Sequence, residues 1–201
     1  VSTHLTVTAH LDGPTVGLVE QPVMLDGPLA WAAAMDARAR GIALEPITRA
    51  HAPDLPLPLA RWEQAGTWGW CTSAAVVDVA SHTASEIRRK PATAQMARFA
   101  RDRKHHSGLG PYKARDTTIP VAWVRDAVWQ VAATDRERLE ALLALITHLG
   151  ANARLGYGRI RSWGVEPGPV DGWRERPLPG PDMPRQAYRA PYWHATRKVT
   201  T

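Results

Sequence analysis

Cysteine is all but missing from this 201-residue chain. Cys71 stands alone, so no intramolecular disulfide can form, no cysteine-rich zinc site can be built, and a reducing cytoplasm is the expected compartment. Long apolar runs are missing too. None reaches the length that spans a bilayer, and the N-terminal residues carry no signal-peptide pattern, so a soluble protein without a membrane partner is expected. The eight histidines show neither His-x-x-x-His nor His-Glu-x-x-His spacing, and no paired-carboxylate motif occurs, which argues against a metal centre. No Gly-Lys-Ser/Thr completes a phosphate-binding loop, no glycine fingerprint joins a strand to the start of a helix, and no repeat recurs at solenoid periods. No cofactor is expected.

What the chain does have is proline, tryptophan and positive charge. The 17 prolines cluster in connections, and the nine tryptophans supply large rings that either fill a core or stack on bases. The net charge of +6 and pI near 10.0 suit a polyanionic partner. Its distribution says more. Residues 86–115 hold nine Lys/Arg against Glu86 and Asp102, whereas the remaining sixteen basic residues face seventeen acids, so one stretch carries the whole imbalance. That concentration reads as a nucleic-acid-binding arm.

Along the chain, residues 3–10 alternate polar and apolar with β-branched enrichment, the pattern of a half-buried strand. Asp12-Gly13-Pro14 marks a turn. Leu25–Arg40 reads as a helix with Asp26 as N-cap, Pro28 in the first turn, a buried face of Leu29, Ala32, Ala33, Met35 and Ala39, and Gly41 as terminator. A proline-rich connection over 42–66 leads to Trp68–Val79, a candidate central strand. Residues 83–118 form the basic insertion, with a possible helix from Ala92 to Lys104. Ile119–Val124 and Ala127–Ala132 make one bent strand or a pair. Thr134-Asp135-Arg136-Glu137 is a capping-box match ahead of Leu139, Leu142, Leu143, Ile146 and Leu149 at helical spacing. A last core strand covers Arg159–Val165. From Glu166 onward Pro167, Pro169, Pro177, Pro179 and Pro181 predict an extended tail over 168–201, with Ala190-Pro191-Tyr192-Trp193-His194 as its aromatic anchor.

Between the last helix and the last strand lies Leu149-Gly150-Ala151-Asn152-Ala153-Arg154-Leu155-Gly156-Tyr157-Gly158-Arg159-Ile160-Arg161. Three glycines let the main chain take left-handed conformations and bring N–H groups toward an anion. Arg154, Arg159 and Arg161 add charge that pairs with phosphates. The element order is strand, helix, strand, arm, strand, helix, glycine loop, strand: an α+β fold with the β-α-β-β-α-β arrangement of a ferredoxin-like, RRM-like core over residues 1–167. An RNP aromatic signature is absent, so RNA would be held by loop, arm and exposed tryptophans rather than by that signature.

The glycine loop in this position resembles that of the RAMP superfamily of CRISPR proteins. With Leu25-Asp26-Gly27-Pro28-Leu29 opening the first helix and the basic insertion, the resemblance covers most of the first 167 residues and points to the Cas-five-type subunit of a type IV CRISPR effector complex. A non-catalytic subunit is expected, although some subunits of this type are themselves processing enzymes. The resemblance implies that such subunits cap one end of a crRNA filament, hold its 5′ handle, and project a thumb onto the adjacent backbone subunit. Further implied partners are a large-subunit-like protein and, through the complex, target DNA, in defence against viruses and plasmids. Carried over, Gly150, Gly156 and Gly158 match the loop, with Arg154, Arg159 and Arg161 beside them and Tyr157 as a stacking aromatic. Arg88, Arg89, Lys90, Arg101, Arg103 and Lys104 fall in the thumb. The rival is a metal-independent endoribonuclease that processes precursor crRNA with His105, His106 or His10, Lys104 and Tyr112 lying close in sequence to the histidine pair. A third reading is an assembly subunit without direct RNA contact.

Overall fold

Strict alternation along the first strand sets the architecture. The protein is described by a computed structural model covering residues 2–89, 98, 108, 114–180 and 184–199. In chain order its elements are β1 (Thr3–Leu11), β2 (Pro14–Thr15), α1 (Asp26–Ala39), β3 (Arg61–Gln64), β4 (Thr67–Trp70), β5 (Val76–Arg89), β6 (Arg115–Ala133), α2 (Arg136–Ala144), β7 (Ile160–Pro167), β8 (Gln186–Ala187) and β9 (Lys198–Val199). The fold is α+β, with antiparallel pairing and two α-helices among the described residues. The chain divides into two compact units, residues 1–81 with 122–201 and residues 82–121.

β1 lies between β6 and β7, antiparallel to both, and the main sheet runs β2-β6-β1-β7 with β5 also paired to β6. Leu5, Val7, Ala9 and Leu11 are buried in one cluster with Leu29 and Ala32 of α1 and Leu139, Leu142 and Leu143 of α2. Each leucine or valine among them contributes roughly 1.5–3 kcal/mol when withdrawn from water. The helices also meet through Arg138 of α2, which donates to Asp36 of α1 at 2.6 Å. That guanidinium hydrogen bond holds the Asp36 carboxyl below its ordinary value. His4, Thr6, Thr8 and His10 point to the opposite face, because successive strand residues alternate.

Several expectations are corrected. Asp26 does not cap α1: it is the first helical residue and fully buried. Tyr192 Oη donates to its Oδ1 at 2.6 Å and the Ala190 amide to its Oδ2 at 3.0 Å. Met35 and Ala39 are exposed, since only the first half of the helix faces the sheet. The cap of α2 is Asp135 rather than Thr134, accepting from the Arg138 amide at 2.9 Å. That helix stops at Ala144, and Ile146, in the turn closing it, and Leu149 reach the core from beyond its end. There the Leu149 amide donates to the Gly158 carbonyl at 2.8 Å, so pairing with the following strand replaces further helix.

Trp68–Val79 is neither one strand nor central. β4 closes a hairpin with β3 and ends at Trp70, the Cys71 amide then donates to the Ala60 carbonyl, and β5 starts at Val76 and pairs with β6 alone. Ile119–Val124 and Ala127–Ala132 are parts of one 19-residue strand. The helix expected over Ala92–Lys104 falls outside the described residues except Arg98.

The C-terminal segment supplies a second core. Trp173 and Tyr188 pack with Trp62, Cys71 and Ala132. Arg176 is buried, its Nη1 donating to the carbonyls of Trp70 (2.8 Å) and Thr72 (3.1 Å) and its Nη2 to that of Tyr188 (2.7 Å). Arg197 donates to the Ala52 carbonyl at 2.6 Å and pairs with Asp54 at 2.8 Å, fastening the proline-rich connection. Proline-rich chain acquires order here by donating its side chains to backbone carbonyls elsewhere.

Candidate nucleic-acid interface

The glycine loop is stitched to the turn that follows β1. The Asp12 amide donates to the Arg159 carbonyl (2.9 Å), the Gly158 amide to the Pro14 carbonyl (2.8 Å), and the Ala151 amide to the Val16 carbonyl (2.7 Å). These bonds explain two of the glycines. Gly158 has φ +71°, and a Cβ there would run into the Leu149 carbonyl; Gly150 has φ +82°, and a Cβ would meet the Val16 carbonyl. Gly156 differs. It too is left-handed, at φ +89°, but nothing lies within 4 Å of where its Cβ would be.

The expected anion cradle of loop amides is therefore only partly available. The amides of Ala151, Leu155, Gly156 and Gly158 all donate inside the loop or to the turn. Close packing, rather than presentation of N–H groups, is what Gly150 and Gly158 secure. The cations remain outward. Arg154, Arg159 and Arg161 are exposed, and none forms an ion pair among the described residues. Tyr157 is half-buried between them. The loop thus presents three guanidinium groups on a backbone that is anchored to the central strand.

In the second unit, Arg88 pairs with Asp116 at 3.2 Å, both exposed. Arg89 ends β5. Lys90, Arg101, Arg103, Lys104, His105 and His106 lie outside the described residues, as does Tyr112.

His10 sits on the sheet face opposite the helices, directly across from Asp126, with Nδ1 2.6 Å from the carboxylate. A carboxylate only accepts, so Nδ1 carries the proton and Nε2 is turned toward Gly164, 3.5 Å from where a Cβ would sit. Thr8, Ser162 and Gly164 adjoin this pair in register, and Thr6 donates to Gln130 at 2.8 Å on the same face. Asp126 and Glu166 lie on this face, and Arg125, next to Asp126, is paired with Asp78 at 3.0 Å. Asp126 went unnoticed in the sequence, where 116 positions separate it from His10 and no motif joins them.

Of the nine tryptophans, Trp62, Trp70, Trp129 and Trp173 are core, whereas Trp31, Trp123 and Trp193 are exposed. The contact of buried Asp26 with Tyr192 and the burial of Arg176 also escaped sequence reasoning. Burial pushes the Asp26 carboxyl up, against the hydrogen bond from Tyr192 and the nearby Arg176 charge. Burial likewise raises the Cys71 thiol to about 11. No group of three or more His, Cys, Asp or Glu among the described residues is placed to hold a metal ion, and no described helix is long and apolar enough to cross a membrane.

Comparison with protein families gives a match to CRISPR type IV associated protein Csf3 over residues 3–201. No curated protein matches. The match bears out the type IV CRISPR resemblance carried by the glycine loop and the opening of α1. With essentially the whole chain covered, from the first strand through the C-terminal segment, this protein belongs to the family of CRISPR type IV associated protein Csf3 and is a type IV CRISPR complex subunit.

Proposed function

We propose that this subunit is a non-catalytic crRNA-binding protein that holds the 5′ handle at one end of the crRNA and contacts the backbone subunit through residues 83–118. The observation that carries the reading is the trio Arg154, Arg159 and Arg161, exposed and without ion-pair partners among the described residues on a loop hydrogen-bonded to the turn after the central strand. Cations on an anchored backbone position phosphates through charge-assisted bonds and impose register without reading bases. The strand order β5-β6-β1-β7, with α1 between β1 and β5 and α2 between β6 and β7, supports the ferredoxin-like reading. The net charge of +6, concentrated in residues 86–115, supports a polyanionic partner.

The experiment is to purify the protein after co-expression with its genomic neighbours, extract the bound nucleic acid and sequence its ends. A uniform RNA opening on a repeat-derived 5′ handle is expected. Absence of RNA at low salt would leave the assembly reading, in which basic arm and tail contact only protein.

One observation favours a second reading. The His10–Asp126 pair has the geometry of an oriented general base. In that reading Nε2 removes the ribose 2′ proton, the 2′ oxygen attacks the adjacent phosphorus, and the 5′ oxygen leaves and takes up a proton, giving a 2′,3′-cyclic phosphate. Asp126 and Glu166 beside the pair, with the neighbouring Arg125 already committed to Asp78 at 3.0 Å, disfavour a bound phosphate and place this reading second.

A further inference from the structure

A cleft opens on the outer side of α1. It has a volume of about 450 Å³ and is walled by α1, the connection 44–57 and the turn 190–193, with Trp70 at its floor. The inner face of α1, through Leu29, Ala32 and Ala33, is spent on the core. Its outer face carries Gly27, Ala30, Trp31 and Ala34, small residues around one large ring, and these line the cleft. Trp31, Ile47 and Trp193 around it are 52%, 51% and 70% exposed. Large apolar side chains grouped on a surface mark a contact site, whereas single ones do not.

The walls are fixed in advance. His194 Nε2 lies 2.7 Å from the Thr48 carbonyl, Arg197 donates to the Ala52 and Pro53 carbonyls, and Arg189 pairs with Asp54 at 3.0 Å. Tyr192 is held by buried Asp26 at the base of α1. An occupant therefore meets a formed surface, and little ordering cost opposes binding.

Charge decides what kind of occupant. In a chain of net charge +6, no described Lys or Arg lines this cleft. Its charged lining residues are Asp54, already paired with Arg189 and Arg197, and Glu45 at the rim, whose contact is His51 at 3.1 Å. RNA phosphates find no counter-charge there. A volume of this order takes two or three large apolar side chains, the anchor set that one face of an amphipathic helix presents.

We propose that this cleft docks a segment of another protein subunit, one that inserts apolar anchors between Trp31 and Trp193 and sets a Lys or Arg against Glu45. The inference adds a protein-binding face to the RNA-binding reading and rests on that reading only in that the chain works within an assembly.

The test uses the full chain co-expressed with its genomic neighbours. Hydroxyl-radical footprinting compares Trp31 and Trp193 in the isolated protein and in the purified complex, and strong protection of both in the complex is expected. The variant Trp31→Glu with Ile47→Lys, and separately Trp193→Ser, should reduce recovery of one protein subunit about tenfold while leaving the melting temperature of the isolated chain and the salt dependence of its RNA binding unchanged. Unprotected tryptophans overturn the proposal, and so does full retention of every subunit in variants that fold. Loss of RNA affinity by the isolated variants would reassign the cleft to RNA. Wild-type self-association abolished by the same substitutions would make the occupant a second copy. If no RNA is recovered but one protein is still selectively lost, the RNA reading fails and the docking site stands.

Discussion

The carbonyl of Leu149 occupies the space that a side chain on Gly158 would need. The same two residues are joined by the Leu149 amide donating to the Gly158 carbonyl at 2.8 Å. Gly158→Ala therefore has to break a main-chain contact and strain a left-handed backbone, at a cost of roughly 2–3 kcal/mol. Gly156→Ala meets open space and costs about 1 kcal/mol, from its backbone conformation alone. Chemical denaturation of the two variants should rank them in that order. Equal stability would mean that the loop does not pack on Leu149 as described. Gly158→Val cannot probe RNA contact without disturbing the loop, whereas Gly156 can.

Replacing Arg154, Arg159 and Arg161 together with alanine removes three exposed cations that hold no ion pairs among the described residues. The fold should be unaffected. If each neutralises one phosphate of a single strand, the slope of log K against log salt should flatten by about 2. Filter binding to a crRNA transcript across a salt series measures this, and an unchanged slope places the RNA elsewhere.

Asp26 gives the fold an unusual acid profile. Its carboxyl is raised above the ordinary 3.8 by burial, with Tyr192 and Arg176 opposing, so the folded state keeps its proton to higher pH than the unfolded chain does. Stability from this group is fullest below 3.8 and declines as pH rises toward the folded value. Asp36, lowered by Arg138, acts in the opposite sense and loses its contribution as pH falls below 3.8. Asp26→Asn cannot ionise, so between pH 4 and 7 its melting temperature should gain on the wild type. Parallel curves would show that the carboxyl is not desolvated.

His10→Ala separates the two RNA readings. A handle-binding subunit without catalysis leaves the 5′ ends of co-purified RNA unchanged in this variant, which sequencing of the ends checks directly. Unprocessed RNA would transfer the cutting step to the His10–Asp126 pair.

Cys71 reports on the second core. With its thiol pushed up to about 11 and packed beside Trp173 and Tyr188, it should resist alkylation in the native protein. Tyr188→Ala, at a cost of about 3 kcal/mol, should speed labelling at least tenfold. Labelling of the wild type at the rate of a free thiol would contradict the packing.

What could be read from the residues was whatever depended on neighbours in sequence. Alternation from Thr3 to His10, the helix from Leu25, and the left-handed glycines after Leu149 each declare themselves within a dozen positions. Asp26 misled because a helix-start aspartate looks the same whether it caps an amide or is buried against Tyr192, 166 residues away. Ile146 and Leu149 misled for a related reason: helical spacing and burial coincide, but Ile146 lies in the turn that ends the helix, its amide donating to the Leu143 carbonyl, and Leu149 pairs with Gly158. The His10–Asp126 pair required knowing the register of β1 on β6. No pattern in the C-terminal segment marks Arg176 and Arg197 as interior donors, because the carbonyls they reach are brought together only by the folded chain.

The position of β1 has a consequence for biosynthesis. It is the first strand made, but its ladder partners are Asp126–Ala133 and Ile160–Pro167. At roughly 5–20 residues per second, a ribosome takes on the order of 6–25 s to deliver the first of them. Through that interval Leu5, Val7, Ala9 and Leu11 have no sheet to join, and the nascent chain carries an unpaired apolar strand out of the exit tunnel. Recovery of this protein from cells should accordingly respond to chaperone supply and growth temperature more than its final stability would suggest.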